Sequence, residues 1–228
     1  MNKLYNGKSA GASKSELIKF VKWCKKKFDY EPAIIGGWAV YSYAKKEKSI
    51  DIDVVFTSKK KAKSLMKQFF KENNYKKEEL HDQQEHFVKE LKTGEKIIEL
   101  RFDYYDYEDK NNLVENSKIS IPWKLIGENN EYKKINSSKI KVPSIELLLL
   151  FKAKALRDRD CVLNARGIRI KEAERLRIKS KILKDKRDIR SLMSSGKINE
   201  SILGRLLKQT GFEKYFEQTI KEVKQKEY

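Results

Sequence analysis

Little in this chain could staple it, anchor it or fold it around zinc. Of 228 residues only two are cysteine, three proline and two histidine. Cys24 and Cys161 lie far apart in helical patterns, which excludes a disulfide framework and predicts free, buried thiols in a reducing cytoplasm. His81 and His86 have neither a paired metal spacing nor a cysteine partner, so a zinc site is excluded. The longest apolar stretch, Ile145 to Phe151, is interrupted by Glu146 and is far too short to span a bilayer, so no membrane partner is expected. The N-terminal segment carries Lys3, Lys8 and Lys14 without an apolar core and does not read as a signal peptide. Arginine is almost missing from the first two thirds, where Arg101 stands alone before Arg157.

What is present is a glycine pair followed by an acidic pair. Ile34 and Ile35 read as a short buried strand after Pro32, and Gly36-Gly37 let the backbone turn and approach a ligand before a helix begins near Trp38. Amides at such a helix start are unsatisfied donors at the positive end of the dipole and favour phosphate. In the next apolar run, Ile50 to Phe56, alternation puts Asp51 and Asp53 on one face and Ile50, Ile52 and Val54 on the other. Two carboxylates on one strand face repel each other in an apolar setting. A divalent cation relieves that repulsion, and Mg²⁺ suits a few carboxylates plus phosphate oxygens.

Strand, Gly-Gly, helix and an apolar strand carrying Asp-x-Asp together resemble the nucleotidyltransferase superfamily that includes DNA polymerase β. The likeness is to its small prokaryotic members, the minimal, aminoglycoside and abortive-infection toxin types. The resemblance implies that Gly36 and Gly37 hold a triphosphate, ATP included, with Trp38 and Ser49 beside them. It also implies that Asp51 and Asp53 hold two Mg²⁺ ions, with Mn²⁺ as an alternative. The superfamily needs a third carboxylate on a neighbouring strand. Lys96 to Tyr105, joined through a Gly94 turn to the alternating run His86 to Leu91, offers Glu99, Arg101 and Asp103 on one face. Asp103 is selected because Arg-Phe-Asp matches the usual ending of that strand; Glu99 is the runner-up and Asp106 a third candidate.

A second resemblance lies in Val142-Pro143-Ser144 and the leucine run that leads to Lys152 and Arg159, followed by Lys184-Asp185-Lys186-Arg187-Asp188. Pro143 and Ser144 suit a helix start. In the toxin-type relatives this pattern implies that Lys152 reaches the nucleotide phosphates while Asp185 or Asp188 orients it or the substrate, with Arg159 in support. Asp185 and Asp188 stand three apart, hence on one helix face. The chain also departs from its relatives. Glu47 falls where many carry an arginine before the acidic pair, leaving Lys46 or Lys48 to supply charge, and Gly37 replaces a phosphate-touching serine.

The formal net charge is +19, and residues 151 to 190 hold fifteen basic against six acidic side chains. A basic helical half beside an acidic metal site reads as a surface for an RNA acceptor, by resemblance the 3′ end of a tRNA. A protein or a small molecule such as an aminoglycoside is the alternative acceptor. An inactive nucleotide- or RNA-binding protein, or the basic partner of an acidic antitoxin, is the alternative from a different class. The expected fold is α+β. A catalytic domain over residues 1–142, a mixed sheet flanked by helices, precedes a basic helical bundle over residues 143–228. Within it, Ser13-x-x-Glu16 reads as a capping box opening the first helix, Ser58 as the start of a second, and Asp106 to Ser117 as a loop.

Overall fold

The computed structural model describes residues 7–45, 49–57, 59–79, 85–93, 96–165 and 170–225. Expectations that fall on Lys46, Glu47, Lys48, Ser58, His81, Gly94 and Gly167 lie outside the described residues. In chain order the elements are α1 (Gly7–Phe28), β1 (Ala33–Ile34), α2 (Gly36–Ala44), β2 (Ile52–Phe56), α3 (Lys59–Glu72), β3 (Lys76–Glu79), β4 (Glu85–Thr93), β5 (Lys96–Asp106), β6 (Asn112–Leu113), β7 (Asn116–Ser120), β8 (Asn130–Ile135), β9 (Ser138–Pro143), α4 (Ile145–Asn164), α5 (Glu172–Met193), α6 (Glu200–Thr210) and α7 (Glu213–Lys224). The chain is α+β, with a seven-stranded mixed sheet in the order β3-β4-β5-β2-β1-β9-β8 and helices after Pro143.

The sheet order follows from which strands bury both faces. Ile52, Val54, Val55 and Phe56 are fully or almost fully buried, and such a strand belongs in the middle. β2 pairs antiparallel with β1 and parallel with β5, in a register that sets Asp53 opposite Asp103. The lysine- and glutamate-rich β3 stands at one edge, where its charges discourage pairing with another chain. Under the sheet, α1 and α3 contribute to an aromatic cluster. Phe20 meets Phe69 and Phe102 at ring-centroid distances of 4.9 and 5.2 Å, and Phe70 stacks on Phe87 at 3.9 Å. Each buried ring contributes roughly 1.5–3 kcal/mol by leaving water. One hydrophobic core runs from α1 through the sheet to α4, α6 and α7.

Several expectations need correction. Helix α1 begins at Gly7, six residues before Ser13, so Ser13 is not a cap. Its hydroxyl instead donates to the Ile50 carbonyl at 2.6 Å and accepts from Trp38 Nε1 at 3.0 Å, tying α1 to the turn that precedes Asp51. The segment after Asp106 is not a plain loop, because β6 and β7 pair within it. A short 3₁₀ turn at Trp123–Gly127 and strand β8 were not anticipated. Both cysteines are free as expected, but only Cys24 is buried, its thiol pushed up to about 12 by desolvation; Cys161 is half-exposed. Among the described residues no helix is long and apolar enough to cross a membrane.

Candidate active site

The two glycines are required by what lies against them. Gly36 has φ +63°, a conformation that costs other L-residues about 1–2 kcal/mol, and a Cβ there would collide with Oδ2 of Asp53. The carboxylate is therefore seated in the notch of Gly36, while Ile35 N donates to Asp53 O at 2.9 Å and fixes the backbone. A Cβ on Gly37 would come within 2.7 Å of Ser49 Oγ and 3.0 Å of Lys184 Nζ. No side chain caps the start of α2. Gly36→Ala is expected to displace the Asp53 carboxylate, and a shift of this kind near reacting groups lowers kcat/KM by about two powers of ten. Steady-state kinetics beside a thermal melt will separate this loss from unfolding.

These residues line a cleft of about 310 Å³ between the sheet and helices α4 and α5. From the sheet come Asp51, Asp53, Arg101, Asp103 and Tyr105; from α4 Leu148, Phe151, Lys152, Ala155 and Arg159; from α5 Arg177, Lys181, Lys184 and Asp185. Desolvation, followed by the charges of Asp103 and Asp51, raises the Asp53 carboxyl to about 7 against the partial relief of Lys152 and Lys181. The expected third carboxylate, Asp103, thus lies beside the pair. Glu99 does not line the cleft; it is exposed and accepts from Arg101 Nη2 at 3.0 Å. Asp106 is buried elsewhere, accepting from Glu108 N at 2.7 Å in a turn.

Trp38, read in the sequence either as packed under the first helix or as a nucleotide contact, is completely buried beneath α1 with its Nε1–H given to Ser13. Lys152 lies in the cleft wall, paired as expected with the two aspartates of α5. Its ammonium sits 2.6 Å from Asp188 Oδ2 and 3.2 Å from Asp185 Oδ1. Lys184 shares the same Asp188 oxygen at 3.0 Å, and Arg159 pairs with Asp185. Burial opposes ionisation of Asp188, but Lys152 and Lys184 outweigh it and hold its carboxyl below the ordinary range. The pairing of Lys152 with Asp185 and Asp188 brings together three residues singled out in the sequence.

The chain is similar in structure to two solved transferases or resistance factors. One is a lincosamide antibiotic adenylyltransferase, LnuA, with lincomycin bound, at a TM-score of 0.43 and 18% identity over 79% of this chain and 96% of that one. The other is the antibiotic-resistance factor ANT(2'')-Ia, at 0.41 and 16% over 81% and 95%. No protein-family model and no curated protein matches the chain. Scores this low carry no functional weight, so the chemistry has to be read from the cleft.

Three cleft residues had no distinguishing signal in the sequence. Arg177 and Lys181 looked like any solvated positions on a basic helix, and Trp123 stood in no recognisable element; Lys184 stood in the basic-acidic stretch but with no role of its own. Trp123 stacks on Tyr105 at 4.8 Å and packs against Phe151 at 4.7 Å, giving the cleft one apolar aromatic wall. Tyr105 lies in the cleft, whereas Tyr104 packs on Phe56 and Phe87.

Proposed function

We propose that this chain transfers a nucleoside monophosphate from a nucleoside triphosphate to a hydroxyl of a small acceptor, releasing pyrophosphate. The observation that carries the reading is the Asp53 carboxylate seated against Gly36, in register with Asp103 and close to Asp51, facing a wall of cations. Such an arrangement supports chemistry on a phosphate chain, because three carboxylates alone would repel it and cations alone would only bind it.

The donor set fits divalent metal. Asp53 is held near 7 by burial and by two neighbouring carboxylates, and a dication removes that cost. Among the described residues no three His, Cys, Asp or Glu side chains form a ready-made metal cage. Mg²⁺ needs none, since it binds through one or two carboxylates with waters and substrate phosphates completing its shell. Asp51 and Asp53 would hold it, with Asp103 sharing an ion. Bound there, Mg²⁺ supplies charge stabilisation of the attacking and leaving oxygens.

The acceptor oxygen attacks the α-phosphorus, the bond from that phosphorus to the bridging oxygen of the β-phosphate breaks, and pyrophosphate departs with that oxygen. The acceptor proton passes to the Asp103 carboxylate or to water. Gly36 and Gly37 keep the backbone close to the phosphates, and the cations of α4 and α5 offset the charge that builds on pyrophosphate. Tyr105, Trp123 and Phe151 exclude water from one side.

A small acceptor is preferred to RNA because a share of the basic charge of the helical half is already paired. Among the described residues, at least seven of the fifteen basic side chains between residues 151 and 190 have partners: Lys152, Lys154, Arg157, Arg159, Arg177, Lys184 and Arg190. The charge open to RNA is smaller than the bare count suggests.

The test is incubation with each α-labelled nucleoside triphosphate and Mg²⁺ or Mn²⁺, in turn with aminoglycosides, total RNA and no added acceptor. Label on a small molecule supports the reading, label on RNA or on the protein replaces the acceptor, and no label anywhere overturns the transfer itself. In the same preparation Mg²⁺ is expected to raise the melting temperature at pH 8 and to lose that effect toward pH 5.5. Asp53 takes up its proton across that interval and competes with the cation.

A further inference from the structure

We infer that Lys181 and Lys184 of α5 form the cationic clamp for the phosphate chain. The inference rests on the proposed nucleotidyl transfer and names who binds its substrate. Lys184 approaches the glycine turn at the start of α2. Its Nζ lies 3.0 Å from the point that a Cβ on Gly37 would occupy, the same point that Ser49 Oγ approaches to 2.7 Å. Lys184, Ser49 and Gly37 therefore converge from α5, from the turn before β2 and from the start of α2 onto one small region of the cleft.

Lys181 lies one turn earlier on α5 and also lines the cleft. Among the described residues it has no carboxylate within ion-pair distance, unlike Lys152, whose charge is divided between two aspartates. Lys152 is thus the positioning residue of the wall, and the charge left for a ligand is on Lys181 and, after its share in Asp188, on Lys184. The cleft lining as a whole carries six cations (Arg101, Lys152, Arg159, Arg177, Lys181, Lys184) against four carboxylates (Asp51, Asp53, Asp103, Asp185), a surplus that suits an anion. Ammonium groups bind phosphate as point charges without demanding a fixed fork geometry.

The experiment measures the KM for the nucleoside triphosphate, the KM for the acceptor, kcat, and the affinity of inorganic tripolyphosphate in Mg²⁺ by calorimetry. The proteins are the full chain, Lys181→Met, Lys184→Met, Lys184→Arg and, as a control on the same helix, the exposed Lys179→Met. Lys181→Met and Lys184→Met are expected to raise the KM for the triphosphate and weaken tripolyphosphate about tenfold or more, with the acceptor KM unchanged. Lys184→Arg is expected to recover most of the affinity and Lys179→Met to match the parent. Lys181→Met, which breaks no ion pair, keeps the inference testable if Lys184→Met unfolds. A parent protein that transfers label while Lys181→Met, and Lys184→Met where it folds, keep parental KM and parental tripolyphosphate affinity overturns the clamp and leaves the transferase standing. A parent that neither transfers label nor binds tripolyphosphate overturns both.

Discussion

Asp53→Asn is expected to abolish nucleotidyl transfer, by roughly three or more powers of ten in kcat/KM, while leaving the protein at least as stable as the parent above pH 7. The two halves of that result come from the same contact. Asp53 is the carboxylate pressed into Gly36 and opposite Asp103, so its charge is the one that a metal-bound phosphate would most need. In the folded protein without metal that charge is costly. Desolvation first, and then Asp103 and Asp51, raise its carboxyl to about 7 from the ordinary 3.8. The folded state thus holds the proton more tightly than the unfolded chain. The destabilisation is absent below about pH 4, grows as pH rises toward 7 and is complete above it. Asparagine cannot ionise and escapes the cost. Thermal melts in chelator at pH 5 and pH 8, beside the label-transfer assay, check both halves. Retained turnover, or a variant less stable than its parent at pH 8, would refute the role given to Asp53.

Asp188→Ala should produce the largest loss of stability among single changes near the cleft. Its carboxylate has no exposure and accepts from both Lys152 and Lys184 through one oxygen. Removing it takes from Lys184 its carboxylate and leaves Lys152 only Asp185, with the two buried ammonium groups repelling each other. Breaking a buried pair in this way costs about 3–5 kcal/mol, against a total stability on the order of 5–15 kcal/mol for a domain. For a chain of this length the melting temperature should fall by about 10 °C or more. Adding Lys152→Met and Lys184→Met to Asp188→Ala should recover part of the loss, because the penalty belongs to the abandoned charges and not to the missing aspartate. Equilibrium urea unfolding of the single and triple variants measures this directly. Equal stability in both would place the effect in packing.

The acidic arm of the site was legible because its information is local. Strand parity places Asp51 with Asp53, and the Arg101-Phe102-Asp103 run needs only a neighbouring strand in register, which β5 provides. Asp103 over Glu99 was likewise decided by position along one strand, with Glu99 out of the cleft. The basic arm was only half legible. Lys152 and Asp188 could be paired by resemblance, but Lys181 and Lys184 sit on a helix in which more than half of the residues are charged, and helical spacing does not say which of them faces inward. Trp38 was legible as a residue packed under the first helix, but not its hydrogen-bond partner Ser13, which arrives from α1. The capping-box reading of Ser13 failed because α1 extends upstream through a stretch with no start signal of its own. Counting charges is a blunt guide to an RNA surface for a related reason, because a sum cannot tell a solvated lysine from one buried against an aspartate.

The two walls of the cleft are also separated in time. A ribosome delivers β2 and β5, with all three carboxylates, well before α5 and its lysines emerge. Until then the nascent sheet carries its three carboxylates with Arg101 beside them, and α4 adds Lys152 and Arg159. Only α5 brings Asp185 and Asp188, the two carboxylates that Lys152 sits against. A chain cut short before that helix would therefore leave the Lys152 ammonium without either of them.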